Sequence, residues 1–221
     1  MVAAADFKTM KRFFSEALGT FALVFFGTGA VVVDQQTHGL LGNMGISIVF
    51  GLIVMIMIYS LGRISGAHMN PAVSIVMVMV KKLPATDLIP YILSQTIGAL
   101  FASLALHFLF PDNTLLGATL PSGSPAQSFI LETILTFFLV LVIFQTSTDN
   151  QPTAIFAGLL IGFTVLIEAL FAGPVCGASM NPVRSLSPAI ISGHLEHLWV
   201  YLLAPTLGAL LAVPVHKIFA Q

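Results

Sequence analysis

An all-α membrane protein with six full transmembrane helices and two shorter half-helices is predicted by three observations. The chain of 221 residues is 57% hydrophobic and only 8% charged, too few polar residues to cover the surface of a water-soluble domain. Six apolar runs reach the roughly 20 residues that a bilayer core about 30 Å thick requires of a helix. Two further apolar pieces, each about ten residues long, are too short to cross, and each opens with an Asn-Pro pair.

The full spans are expected at 13–33, 43–62, 87–110, 127–147, 154–172 and 197–219, with the short pieces starting near Asn70 and Asn181. Lys8, Lys11, Arg12, Arg63, Lys81, Lys82 and Lys217 fall on one side of this arrangement if both termini are cytoplasmic. Cytoplasmic loops carry the excess of Lys and Arg, so that orientation is expected, in a plasma or inner membrane. Arg184 falls elsewhere, within the second short piece, and an arginine at membrane depth marks a candidate site. No signal-peptide cleavage pattern precedes the first span, which is expected to remain as an anchor, and the single Cys176 allows no intrachain disulfide. With a net charge of −1 and no basic block, nucleic acid is not an expected partner. Membrane lipid is.

The chain also repeats itself. Phe14-Ser-Glu-Ala-Leu-Gly-Thr-Phe is matched by Ile130-Leu-Glu-Thr-Ile-Leu-Thr-Phe, Gly66-Ala-His-Met-Asn-Pro by Gly177-Ala-Ser-Met-Asn-Pro, and Thr96-Ile-Gly-Ala-Leu by Thr206-Leu-Gly-Ala-Leu. The three matches keep one order, giving one transmembrane domain of two repeats, about 1–112 and 113–221. Three full spans per repeat start the second copy on the opposite side of the membrane, so the repeats are inverted and the short helices enter from opposite faces.

Asn before Pro suits a helix start, with Asn70 and Asn181 as N-caps and Pro71 and Pro182 at the first helical position, where no N–H is needed. The Asn oxygen then accepts a backbone N–H and its amide group is left as a fixed donor. Two such helices meeting end to end place two donors and two positive dipole ends at one point. That site orients a neutral hydrogen-bonding molecule and repels cations. The segments before them, Gly66 to Met69 and Gly177 to Met180, are expected to be extended and to expose carbonyls, which is tolerable at membrane depth only along a wet cavity. One Asn-Pro pair alone reads as an ordinary capped helix start in a loop; the duplicated context favours the paired reading.

Ser65-Gly-Ala-His-Met-Asn-Pro-Ala-Val and Gly177-Ala-Ser-Met-Asn-Pro-Val-Arg-Ser resemble the paired signature of the aquaporin and aquaglyceroporin (major intrinsic protein) family, and the resemblance runs from about Phe14 to the last span. It implies a right-handed six-helix barrel, a homotetramer with one pore per subunit, and passive flow of water and small uncharged solutes. It implies no enzyme activity, cofactor or metal. The two signature triplets correspond to Asn70, Pro71 and Ala72 and to Asn181, Pro182 and Val183, where the usual triplet ends in alanine. The added methyls of Val183 are expected to shift Asn181 or narrow the midplane. Glu16 and Glu132 match the glutamates that tie down the two loops in family members. Pore-lining carbonyls are implied at Gly66, Ala67, His68, Gly177 and Ser179.

The family's narrowest point corresponds to Phe50, 20 residues before Asn70, to Ala169 and Ala178, 12 and 3 residues before Asn181, and to Arg184, 3 after it. Strict water channels carry His at the Ala169 position, and glycerol channels use a second aromatic. Two alanines and one aromatic resemble more nearly the nodulin-like branch, whose members pass glycerol or metalloid hydroxides. Tyr201-Leu202 agrees with that branch, and Ser185 stands where glycerol channels usually have Asp. Water, glycerol-like polyols and neutral metalloid hydroxides such as arsenous acid all remain open as solutes, a strict water channel among the alternatives.

Glu168 has two readings, a pairing or loop-anchoring role and a place on the pore wall near Arg184. The His68 side chain is expected to hydrogen-bond nearby rather than act as a gate, and Cys176 to be a small packed residue. Glycines 19, 27, 51, 98, 158 and 208 are expected where helices pack closely. A coupled transporter shares inverted repeats and broken helices but needs ion-coupling carboxylates beyond the symmetric pair Glu16 and Glu132. An enzyme needs a nucleophile, metal cluster or nucleotide loop, and none accompanies these motifs. A purely adhesive junction protein stays open as an alternative, against which the intact pair of asparagines and Arg184 argue for a conducting pore.

Overall fold

The computed structural model describes residues 2–146 and 155–219, with side chains from residue 9 onward. The first span is one continuous helical rod in three parts: α1 (Val2–Ala22), a π-helical turn (Leu23–Thr28) and α2 (Gly29–Gln36). It is followed by α3 (Gly42–Ser65), the half-helix α4 (Pro71–Met79) and, after a 3-10 turn at Ala85–Asp87, α5 (Leu88–Leu109). The second half comprises α6 (Pro125–Thr146), α7 (Ala157–Cys176), the half-helix α8 (Pro182–Ser192) and α9 (Leu198–Phe219). Six stretches among the described residues are long and apolar enough to cross a membrane. They coincide with the expected spans to within a few residues, and the ends expected at 147 and 154 lie outside the described residues. The fifth span runs on to Cys176 through Pro174, an arrangement that neighbouring helices and side chains permit in a membrane bundle.

The halves pack alike. Helix α1 lies along α5, α6 lies along α9, and α3 pairs with α7 between the halves. Glycines make these contacts close. A Cβ at Gly98 would strike the carbonyl of Ala17, the residue after Glu16, and one at Gly208 would strike the carbonyl of Thr133, the residue after Glu132. On α3 and α7 the contact is reciprocal, since a Cβ on Gly51 would lie 2.7 Å from the Gly162 carbonyl and one on Gly162 2.7 Å from that of Gly51. Backbones approach this closely because bilayer helices gain from van der Waals contact where no hydrophobic drive between helices exists.

Polarity is inverted relative to a soluble bundle. Phe14, Phe101, Phe108, Phe138, Phe163 and Phe171 are exposed, whereas Glu16, Glu132 and Arg184 are buried. An apolar exterior around charged groups is stable only against lipid, and the chain is an integral multi-pass membrane protein. Arg12, bonded at 2.6 Å to Asp87, stands at one mouth of the bundle with Arg63, Lys81 and Lys82.

Candidate functional site: a cavity lined by two asparagine loops

Each half-helix begins as its sequence requires. Asn70 and Asn181 are N-caps in extended conformation, with Pro71 and Pro182 next. Asn70 Oδ1 accepts from the N–H of Ala72 at 2.9 Å, and Asn181 Oδ1 from that of Val183 at 3.2 Å. The amide groups are not left over as the sequence suggested. Asn70 Nδ2 donates to the carbonyl of Met180 and Asn181 Nδ2 to that of Met69, both at 2.7 Å. One of the two N–H groups of each amide is thereby committed to the opposite loop, and one remains.

The loops before the caps are not simply extended. Gly66 (φ 90), Ala67 (φ 48) and Met69 (φ 51) are left-handed, and Gly177 (φ 83), Ala178 (φ 42) and Met180 (φ 53) repeat the pattern residue for residue. Four of these six carry a Cβ, at a cost of about 1–3 kcal/mol each. Buried carboxylates offset that cost from behind. Glu16 accepts from the N–H groups of His68 and Met69 at 2.9 and 2.8 Å, and also from Ser65 Oγ and Gln95 Nε2. Glu132 accepts from the N–H groups of Ser179 and Met180 at 2.7 and 2.8 Å. Carboxylates with such partners are satisfied at membrane depth, and both glutamates grip the loops from behind.

An elongated cavity of about 710 Å³ runs beside the loops. It opens at the mouth carrying Arg12, Arg63, Lys81 and Lys82 and extends past Asn70 and Asn181 to Phe50, Ala178 and Arg184. One wall is apolar, with Val54, Ile58, Val73, Met77, Leu139 and Ile143. The other is the strip of loop residues Gly66 to Met69 and Ala178 to Met180. At the inner end, the Arg184 guanidinium lies 5.1 Å from the centre of the Phe50 ring, and its Nη1 donates to the carbonyl of Gly117 at 3.0 Å. Gly117 is a partner that sequence reasoning missed, because a loop carbonyl leaves no side-chain signal.

Not every expected residue reaches the cavity. Ala72 and Val183 are buried but do not line it. Val183 packs with Val24, Ala99 and Ala102, so its methyls neither narrow the midplane nor dislodge Asn181. Gly177 supplies the left-handed turn that ends α7 and is likewise outside the lining. On α7 the lining comprises Ala157, Ile161 and Val165, and Ala169 is the next position on that stripe, one turn beyond. Glu168 is buried with no hydrogen-bond partner on Oε2 among the described residues, and it does not line the cavity. His68 does, with its ring Nδ1 3.1 Å from Ser74 Oγ. Cys176 is fully buried. Ser185 bonds to Thr119 and Ser179, which closes a hydroxyl chain behind the second loop. Among the described residues no cluster of His, Cys, Asp or Glu could hold a metal.

A cavity inside a six-span bundle, with two half-helices capped head to head beside it, is the architecture of a membrane channel. The chain belongs to the major intrinsic protein family, whose model matches residues 3–216. It is 40% identical over 210 residues to nodulin-26 of Glycine max, covering 95% of this chain and 78% of that protein. It is 43% identical over 208 residues to aquaporin NIP1-2 of Arabidopsis thaliana, covering 90% and 71%. The crystal structure of the aquaglyceroporin from Plasmodium falciparum superposes with a TM-score of 0.82 at 26% identity, over 95% of this chain and 99% of that one. The protein is thus an aquaporin-family channel, and family membership places it among channels, not enzymes.

Proposed function

We propose that this channel passes water and small uncharged solutes such as glycerol and excludes ions and protons. The observation that carries the reading is the Arg184 guanidinium 5.1 Å from the centre of the Phe50 ring, both on the cavity lining with Ala178, and we take these three as its constriction. One aromatic, one fixed cation and a methyl give an apolar wall for a carbon backbone, donors for hydroxyl groups and a barrier to cations. Ala169 is buried one turn beyond the lined stretch of α7, and its small side chain leaves room behind that wall. The remaining N–H of each asparagine donates to the solute at the midplane, where two helix N-termini oppose any cation.

Acceptors along the path come from the carbonyls of Gly66, Ala67, His68 and Ser179, and Gly177, outside the lining, shapes the second loop through its left-handed turn. This is supported by the glutamates, which take loop N–H groups from behind. Pro71 and Pro182 fix the starts of the half-helices, and Ala72 and Val183 seat them. The whole chain acts as one channel domain of two inverted repeats. Its basic mouth faces the cytoplasm with both termini, in a plasma or inner membrane, and four copies assemble with one pore each. A second solute class that two alanines and one aromatic would admit is neutral metalloid hydroxides of glycerol-like size and hydrogen-bonding capacity.

Stopped-flow light scattering on proteoliposomes, comparing water efflux with glycerol uptake, tests the reading. Fast entry of both supports it and makes arsenous and boric acids the next solutes. Fast water flow without glycerol entry overturns the wide constriction in favour of a strict water channel.

A further inference from the structure

The first span breaks its α-helical register once, at the π-helical turn Leu23–Thr28. This turn lies against the constriction on three counts. Leu23 lines the cavity itself. Gly27 faces the Phe50 ring so closely that a Cβ there would come under 3.0 Å from Cε1, Cδ1 and Cζ. Thr28 backs Gly117, since its Cγ2 and its carbonyl occupy the space a Gly117 Cβ would need, and Gly117 is the residue whose carbonyl holds Arg184. One turn of backbone therefore stands behind both partners of the Phe50–Arg184 pair.

A π-turn inserts one residue into the helix and changes which side chains face inward, and such turns recur at functional sites. Here the insertion lets consecutive residues, Gly27 and Thr28, serve the two sides of one opening. Phe50 is buried on the wall of the cavity with its ring packed against Gly27 and its centre 5.1 Å from the guanidinium of Arg184. Any bulk added at Gly27 has to move the ring, because the ring is the nearest group and has the cavity beside it.

We propose that the π-helical turn sets the aperture of the constriction and that Gly27 is a specificity-determining positioning residue, acting through Phe50 without touching the solute. The inference rests on the reading of Phe50 and Arg184 as the constriction. A methyl at Gly27 drives the ring toward Arg184 and narrows the path for carbon-containing solutes more than for water. Removing the ring abolishes the effect.

The experiment compares four forms in proteoliposomes: parent, Gly27→Ala, Phe50→Leu and the double variant. Glycerol and water permeability are normalised to incorporated protein. In Gly27→Ala the glycerol-to-water ratio is expected to fall by about tenfold, the scale of a one-methylene size discrimination. In the double variant it returns to the value of Phe50→Leu alone. A folded Gly27→Ala channel with the parent's ratio overturns the proposal, as does a double variant that stays narrow. Thr28→Ser keeps the hydroxyl and deletes only the methyl behind Gly117, so it tests the turn even if Gly27→Ala fails to assemble. It is expected to raise glycerol uptake about twofold by freeing the Arg184 side of the opening, a change below the full one-methylene effect, and an unchanged ratio overturns the proposal. If the parent passes no glycerol, the solute reading fails on its own. The aperture is then read from water flow, which Gly27→Ala lowers and the double variant restores.

Discussion

Asn70 and Asn181 hold each other's loops: the amide of each donates at 2.7 Å to the carbonyl just before the other. Each asparagine thus caps its own half-helix with its oxygen and fastens the opposite loop with its nitrogen. Asn70→Asp keeps a capping oxygen but loses the donor and sets a carboxylate against the Met180 carbonyl. Leaving that buried acceptor unpaired costs about 1–3 kcal/mol, and the variant is expected to lose about tenfold or more in water permeability while still incorporating into vesicles. Undiminished stopped-flow water efflux would reject a donor role for the amide.

Arg184 is fixed by the Gly117 carbonyl and by the Phe50 ring. Arg184→Ala removes the cation and opens the constriction, so uptake of urea-sized solutes or proton leak is expected to rise severalfold, by analogy with other lost pocket contacts. Arg184→Lys retains charge without the planar fork that serves both contacts, and is expected to be intermediate. Radiolabelled urea influx and a pH-sensitive dye inside the vesicles report the two leaks. Selectivity unchanged in Arg184→Ala would sink the assignment of this residue to the constriction.

The six spans were legible because apolar length is a direct demand of the bilayer, and the half-helices because Asn-Pro recurs where length fails. The resemblance to a known family supplied Glu16, Glu132 and the members of the constriction. Geometry inside the spans was not legible. Leu23-Val-Phe-Phe-Gly-Thr28 is apolar all round, so its pattern carries no phase from which a π-turn could be read. Ala67, Met69, Ala178 and Met180 adopt a backbone conformation that glycine normally signals, and carboxylates from other helices take the N–H groups of Met69 and Met180. Val183 was expected at the midplane because it follows Asn181-Pro182. One residue on an α-helix is a rotation of about 100°, which turns Val183 toward the π-helical turn and α5 while Arg184 faces the cavity.

The two anchoring glutamates are not equally committed. Glu16 receives two backbone N–H groups, Ser65 Oγ and Gln95 Nε2, whereas Glu132 receives the backbone N–H groups of Ser179 and Met180 with the Cys176 thiol as its side-chain donor. Replacing either carboxylate by an amide turns one acceptor into a donor facing a donor. The more crowded site has less freedom to rotate the misfit away. Glu16→Gln is therefore expected to lower stability by about 1–3 kcal/mol, and more than Glu132→Gln does. Thermal unfolding midpoints of the purified variants in one detergent rank the two, and a reversed order would contradict the argument.

Close approach between helices predicts which glycines tolerate a methyl. At Gly98 a Cβ would meet the Ala17 carbonyl, a backbone atom that cannot swing aside. Helices α1 and α5 must then part, and because Ala17 follows Glu16, the anchor of the first loop moves with them. Gly98→Ala is expected to cost about 1–3 kcal/mol by overpacking and to reduce water flow along with stability. At Gly62, on α3, the nearest atom to an added Cβ is Ile58 Cγ2 at 4.0 Å, and no unusual φ is required. Gly62→Ala therefore gains helix propensity without a clash and is expected to raise stability by up to about 1 kcal/mol. Unfolding midpoints of the two variants should move in opposite directions from the parent. A Gly98→Ala protein as stable as the parent would mean that the α1–α5 contact is looser than its geometry implies, and that the anchor at Glu16 does not depend on it.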